Sequence, residues 1–262
     1  MDIYPKIFKC VYCDDGIIED YEMSNAFELI DTTCSNGHKF KIATKRPRYA
    51  FFFDDAIAQY IKSNYRVSLI SLYTALELFW NDFSAAYILH TTNSNVKDLI
   101  HTYSSGSLKL SERKYGAFVN SFSLFYKKIY AEPTDDIIGK KLDKKIDDLR
   151  VLRNKVMHNG YLLNHKEKIK LKDQIFDVYI YIKSIEDTFE VQTSIDPTDS
   201  KTSLIYLYYD KISRYLFSQE SKNTEHNPIN DDGYYTSLSM FNSKIDTKKN
   251  VDDLFLDIKK RI

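Results

Sequence analysis

Arg153, Asn154 and His158 stand together in "LRNKVMHNG", residues 152–160. An arginine fork binds phosphate bidentately and keeps its charge. A histidine moves protons near neutral pH, and an asparagine beside the arginine can orient either group. Attack of an RNA 2′-hydroxyl on its neighbouring phosphate needs little beyond a base, an acid and stabilisation of developing charge, so no catalytic metal is expected. At ~100° per residue, His158 lies about 140° around the helix from Arg153. Arg153 is expected off the apolar stripe shared by Leu149, Leu152 and Val156. Arginine is long, and His158 lies where the chain is already turning, so both could face one cleft. The other reading is a cationic last turn that complements the helix dipole.

Local charge bears on the choice of ligand. Lys+Arg and Asp+Glu balance at 37 each over 262 residues, so whole-chain charge says nothing about nucleic acid. Residues 139–172, in contrast, hold eleven Lys or Arg and four Asp or Glu. Basic clustering of this kind attracts polyanions, although charge runs are also ordinary solvated faces.

A second group sits near the N-terminus. Cys10 and Cys13 make Cys-x2-Cys, and Cys34 and His38 follow twenty residues later as Cys-x3-His, with Gly37 before the imidazole. Zinc prefers four thiolate or imidazole ligands in a tetrahedron, and filling all four positions from protein makes a closed, structural site. A segment this small gains from a metal staple. The alternative is three buried or free cysteines and a surface histidine. All three cysteines of the chain fall in this segment, which argues against a disulfide framework. The fragment resembles a zinc ribbon, expected over residues 1–46 and closed by "TKRPR" as a short linker.

These groups need elements to hold them. Seven Gly and five Pro in 262 residues favour a mainly α fold. Spacing of three and four predicts helices on either side of "KSNYR" in residues 49–90, one of them carrying Leu69, Leu72, Tyr73, Leu76, Phe79 and Trp80 on one face. Glu77 interrupts that face. It reads as a flank residue at the solvent edge, or as a buried carboxylate reaching a cation elsewhere in the bundle. A short helix is expected within the loop-rich "NSNVKDLIHTYSSGSLKLSERK", and further helices from an N-cap at Ser111, after a cap at Asp135 or Asp136, and over "KEKIKLKDQIFDVYIYIKSIEDTFE". The helix bearing Arg153 should stop at "HNG", because Asn159 and Gly160 accept left-handed dihedrals. The sum is an antiparallel bundle over residues 47–190. Residues 191–262 form a helical C-terminal extension with a polar loop.

"RNKVMHNG" at a helix end, after the two-helix start with "YRVSLISLYTALELF", resembles the HEPN superfamily of helical domains over roughly residues 49–190. The resemblance implies a HEPN-like bundle and a metal-independent endoribonuclease of the toxin or anti-phage defence kind. Carried over by position, Arg153 and His158 match the catalytic pair and Asn154 the polar residue after the arginine. It further implies RNA as substrate, a homodimer whose motifs meet at a shared cleft, and an antitoxin or defence-system partner. Some members carry Tyr two residues after the His. Here that place is Gly160, and Tyr161 follows, which leaves control through that tyrosine open.

No apolar run reaches the ~18 residues that span a bilayer, so no membrane role is expected. "MDIYPKIFKC" has no signal-peptide pattern, and a cytoplasmic location is expected. Walker, Gly-x-Ser-x-Gly, His-Glu-x-x-His and dinucleotide motifs are absent. Two other readings remain beside the nuclease: a non-catalytic HEPN-like sensor or scaffold that binds RNA or nucleotide, and a helical interaction protein whose Arg-x4-His spacing is accidental.

Overall fold

The computed structural model describes residues 8–9, 13, 17–18, 29–42, 47–92, 94–104, 111–127, 140–192, 201–223 and 251–259. They are mainly helical. Eight helices appear among them: α1 (Arg48–Ile61), α2 (Tyr65–Thr91), α3 (Val96–Ser104), α4 (Ser111–Tyr126), α5 (Lys140–His158), α6 (His165–Thr188), α7 (Leu204–Asn223) and α8 (Val251–Lys259). Three antiparallel ribbons accompany them: β1 (Phe8–Lys9) with β2 (Ile17–Ile18), β3 (Ile30–Thr33) with β4 (Lys39–Ile42), and β5 (Glu190–Gln192) with β6 (Lys201–Ser203).

α2 is the organising element. Its 27 residues run about 40 Å at ~1.5 Å per residue. Phe79 to Ala86 are all buried in succession, which requires neighbours on every side of the helix rather than on one stripe. α1, α4, α5, α6 and α7 supply them. The aromatic core is built around Phe79, Trp80, Phe83, Phe118, Phe122 and Phe189, with Phe83–Phe118 and Phe122–Phe189 edge-to-face at 5.2 and 4.9 Å.

The turn from α1 to α2 closes without glycine. Ser63 takes φ +62°, the Ser63 N–H donates to Tyr60 C=O, and the Asn64 N–H donates to Gln59 C=O. That pair of bonds is a Schellman closure, with serine in the left-handed place.

Burying α2 all round also buries Asp82, and its partners explain how the C-terminal third joins the bundle. The Tyr209 hydroxyl on α7 donates to Asp82 Oδ2 at 2.6 Å, and Arg48 Nη2 lies 3.8 Å from Oδ1. The Arg48 backbone N–H donates to the same tyrosine oxygen at 3.0 Å. Leu204, Ile205, Tyr208, Tyr209 and Ile212 enter the same core as α1 and α2, so this helix packs on the bundle. A parallel network holds α6: Tyr49 Oη donates to Glu186 Oε1, and Lys183 bridges Glu186 and Asp187 at 3.3 Å each. Burial pushes the Asp82 and Glu186 carboxyls above their ordinary values, against the pull of Arg48 and Lys183 respectively. α8 lies against α1 and α6, where Phe255 meets the Tyr60 ring and Lys172 pairs with Asp252.

Ser111, expected as an N-cap, is the first residue of α4, and its hydroxyl lies 3.1 Å from Tyr73 Oη rather than on its own backbone. Asp135 and Asp136 lie outside the described residues. Among the described residues no helix is long and apolar enough to cross a membrane.

Candidate functional site

α5 ends as the sequence predicts. His158 is its last residue, Gly160 takes φ +61°, and the N–H groups of Asn159 and Tyr161 both donate to Lys155 C=O, at 3.1 and 3.3 Å. The next helix starts at once with a capping box: the Glu167 N–H donates to Asn164 Oδ1, and the Asn164 N–H donates to Glu167 Oε2. The Tyr161 hydroxyl donates to the other oxygen of Glu167 at 3.2 Å, so the tyrosine of the connecting turn is tied to the start of α6.

Arg153 corrects the expectation made for it. It is not off the apolar stripe. At ~100° per residue it falls within about 60° of Leu142, Ile146, Leu149 and Val156, and this face packs on α2. Its guanidinium is fixed on three sides. Nη2 reaches Glu77 Oε1 at 3.4 Å, Nη1 donates to Asn154 Oδ1 at 3.0 Å, and the group lies 5.0 Å from the centroid of the Tyr73 ring. Glu77 also holds Lys114 of α4 at 3.3 Å. The side chains of Arg153, Glu77 and Lys114 are only 23%, 13% and 17% exposed, so this is a partly desolvated triad linking three helices. The acid inside the α2 stripe is therefore the carboxylate that reaches cations across the bundle. Burial raises the Tyr73 phenol above its ordinary value; the bond from Ser111 works against this and the charge of Glu77 adds to it.

His158 lies elsewhere. It is exposed, on the face opposite Leu149, and among the described residues it makes no hydrogen bond or ion pair. Lys144, Val151, Lys155 and His158 are all exposed and fall within about 60° of one another at ~100° per residue. The structure thus joins Arg153 to Asn154 and leaves His158 apart on the outward face of the same helix. Part of the basic excess in this region is neutralised across the α5–α6 pair, where Lys145 meets Asp177 at 2.6 Å and Lys170 meets Asp148 at 3.7 Å.

Three of the four residues expected as ligands near the N-terminus, Cys13, Cys34 and His38, are described, and they lie together. Thr33 pairs with Lys39 at the end of the β3–β4 ribbon, so the turn between them carries Cys34, Gly37 and His38. Gly37 takes φ +82°, its N–H donates to Cys34 C=O, and the Cys34 N–H donates to His38 C=O. This fold brings His38 back over Cys34. The Cys13 and Cys34 sulfurs are 3.9 Å apart, and Cys34 Sγ lies 3.5 Å from His38 Nδ1. A tetrahedral ion with Zn–S and Zn–N bonds of ~2.3 and ~2.0 Å sets those edges at about 3.8 and 3.5 Å. The sulfurs are far beyond the ~2.05 Å of a disulfide. Asn36 Nδ2 donates to Cys13 Sγ at 3.3 Å, the kind of support a metal-bound thiolate receives. Cys13, Cys34 and His38 could together hold a metal ion. Cys10 lies outside the described residues.

Three residues of the arginine site were not singled out from the sequence as chemistry: Tyr73, Lys114 and Ser111. The signal available was Glu77, one turn after Tyr73 on a face otherwise apolar. Comparison with models of known families, with curated proteins and with solved structures finds no match for this chain.

Proposed function

We propose that this chain is a metal-independent endoribonuclease, acting as an RNA-cleaving toxin or anti-phage defence effector. Arg153, Asn154 and His158 form its working residues. The observation that carries the reading is the way Arg153 is held. A guanidinium has five N–H donors, and among the described residues only two are engaged, by Glu77 and Asn154. A cation pre-positioned by a carboxylate, an amide and an aromatic ring keeps donors for a phosphate and needs little reorganisation to use them.

His158 and Arg153 face apart within one chain, so the reactive constellation is assembled across a homodimer, as the HEPN resemblance implies. Val151 and Met157 on α5, Leu162 in the turn and Ile169 on α6 are exposed apolar residues flanking the motif, and they suit such an interface. In the shared cleft, His158 takes the proton of the 2′-hydroxyl as it attacks the adjacent phosphate. Arg153 stabilises the charge that builds on the phosphate oxygens, and the 5′-oxygen leaves with a proton taken from solvent water. Products are a 2′,3′-cyclic phosphate and a 5′-hydroxyl. Exposed Lys144 and Lys155, beside His158, would track the RNA backbone. Zinc on Cys10, Cys13, Cys34 and His38 is structural in this reading, and an antitoxin or defence-system protein is the expected regulator in the cytoplasm.

The separation of Arg153 from His158 is also what a non-catalytic RNA- or nucleotide-binding sensor would show, and that is the second reading. Purified wild type, Arg153→Lys and His158→Ala proteins, incubated with total RNA and EDTA, separate the two. The nuclease reading expects cutting by wild type alone, with cyclic phosphate ends by mass spectrometry. Binding without cutting selects the sensor, and 3′-hydroxyl with 5′-phosphate ends exclude the route through the 2′-hydroxyl.

A further inference from the structure

The end of the bundle that carries the Arg153 motif also carries a patch of tyrosine and lysine, and the C-terminal helix lies on it. Arg153, near the end of α5, meets Tyr73 in the first third of α2, and Lys168, in the first turn of α6, lies over the Tyr65 ring at 5.4 Å. The end of α5, the start of α6 and the start of α2 are therefore together. α1 ends there too, where Tyr60 meets Tyr65 edge-to-face at 5.3 Å. Lys172 follows Lys168 one turn later on the same side of α6. Its ammonium pairs with Asp252 of α8 at 2.5 Å and stands 5.3 Å from the centroid of Phe255. Phe255 in turn meets the Tyr60 ring at 5.3 Å.

Charge at this end of the bundle is positive. Among the described residues Lys62, Arg66, Lys166 and Lys168 make no ion pair. Lys62 lies in the α1–α2 turn, Arg66 just after it, and Lys166 in the first turn of α6. Of the acids, Glu167 is held in the capping box, and exposed Asp173 brings one negative charge near Tyr60.

α8 is weakly seated on this patch. Nine residues are too few for a stable helix in isolation, so α8 is helical because it is docked. None of its described side chains is buried, and Asp252 is 83% exposed while it pairs with Lys172. Such exposed pairs contribute little net, and elements without buried side chains open at low free energy. What α8 brings to the patch is an aromatic ring for a tyrosine and a carboxylate for a lysine. A nucleotide brings the same two things, a base that stacks on tyrosine and a phosphate that pairs with lysine.

We propose that Tyr60, Tyr65, Lys168 and Lys172 form a docking surface for single-stranded RNA, and that α8 occupies it as an internal competitor which the RNA displaces. Bases take the place of Phe255 against the tyrosines, and phosphates take the place of Asp252 on the lysines. Because the surface lies at the same end of the bundle as Arg153, α8 restrains cleavage until RNA arrives. That consequence rests on the nuclease reading; the docking itself does not.

The test uses the full-length protein and a fluorescent 2′-O-methyl RNA of about 12 nucleotides. This probe cannot be cut through the 2′-hydroxyl, so anisotropy reads binding whether or not the chain is a nuclease. Phe255→Ala and Asp252→Asn, which loosen α8, should each tighten binding at least about threefold, because the competent fraction of molecules rises. Lys168→Gln, at a residue that touches Tyr65 rather than α8, should weaken binding and flatten the slope of log K against log salt by about 0.7. Hydrogen exchange over residues 251–259 should quicken when wild type binds the probe. Asp252 is exposed, so its variant keeps the test valid if Phe255→Ala disturbs the fold. Affinity unchanged or weakened in both α8 variants would make α8 a structural strut and overturn the proposal. Binding that leaves α8 protected, or that Lys168→Gln does not alter, would place the RNA elsewhere and overturn it equally. The expected binding pattern with total RNA left uncut would keep the docking surface and remove the nuclease reading.

Discussion

Replacing Glu77 by Gln keeps the shape of the side chain and removes the one charge that Arg153 and Lys114 share. At 3.4 and 3.3 Å, each pair has a Coulomb energy of about 5 kcal/mol at an effective dielectric of ~20 and about 1.2 kcal/mol in water. With side chains only 13–23% exposed, the pairs lie between these limits. Desolvation of the ions cancels most of the gross attraction. A net loss of about 1 kcal/mol per pair follows, and the two cations then face each other unshielded, which brings the expected cost to roughly 2 kcal/mol. For a chain of this size that is a fall in Tm of about 4–8 °C, readable by calorimetry or thermal circular dichroism. Two controls sharpen the measurement. A double-mutant cycle of Glu77→Gln with Lys114→Gln should return a coupling of about 1 kcal/mol. The loss should persist at ~1 M salt, because the pairs are partly withdrawn from solvent. A change in Tm below about 1 °C, or one that salt abolishes, would mean that the triad is an ordinary surface arrangement, and the case for a pre-positioned Arg153 would fall with it.

Glu186, buried beside Tyr49 and Lys183, is raised above its ordinary 4.5 by burial. A carboxyl raised in the folded state stabilises most below its unfolded value, and that contribution is lost as pH rises through the folded value. Glu186→Gln should therefore match wild type in Tm at acid pH and gain on it as pH climbs above 4.5; a gap independent of pH would contradict this. Metal analysis of protein purified without chelator should find about one zinc per chain, and Cys34→Ser should lose it together with the N-terminal ribbon signals in NMR; full-length protein that is metal-free yet shows those signals would rule out a structural role. Gly160 has open space around its Cα but φ +61°. Gly160→Ala should cost about 1 kcal/mol in urea unfolding through backbone strain alone, and a neutral result would show that the turn relaxes into another shape.

α1, α5 and α6 were legible because each carries a buried stripe at spacing three or four, and α2 because its apolar positions keep that spacing before its buried middle. The stop at His158 was legible because Asn159 and Gly160 both accept left-handed dihedrals, and Gly160 takes one. The β5–β6 ribbon was not, since strands of three residues are too short for an alternating pattern to register. The proximity of Cys13, Cys34 and His38, which could hold a metal ion, was legible as well, through its knuckle spacing. The orientation of Arg153 was missed for a specific reason. Leu152, taken with Leu149 and Val156, centres the α5 stripe away from it, yet Leu152 is only partly covered. Ile146, which is buried, and Leu142 belong to the same stripe and bring Arg153 inside it. A charged residue inside a stripe must find a partner there, because an unpaired ion out of water costs several kcal/mol. On α2 the acid at position 77 stands on the flank of an apolar face, and on α5 the arginine at position 153 stands inside one. Two opposite charges on two apolar faces of one small bundle are complementary, and pairing them would have predicted the α2–α5 contact. It would also have turned Arg153 inward and left His158, half a turn round the helix from Leu149, facing solvent. Helical angles and the cost of burying charge are thus enough to separate the two halves of the Arg-x4-His motif. In the proposed nuclease, a second chain would therefore bring its histidine to the arginine.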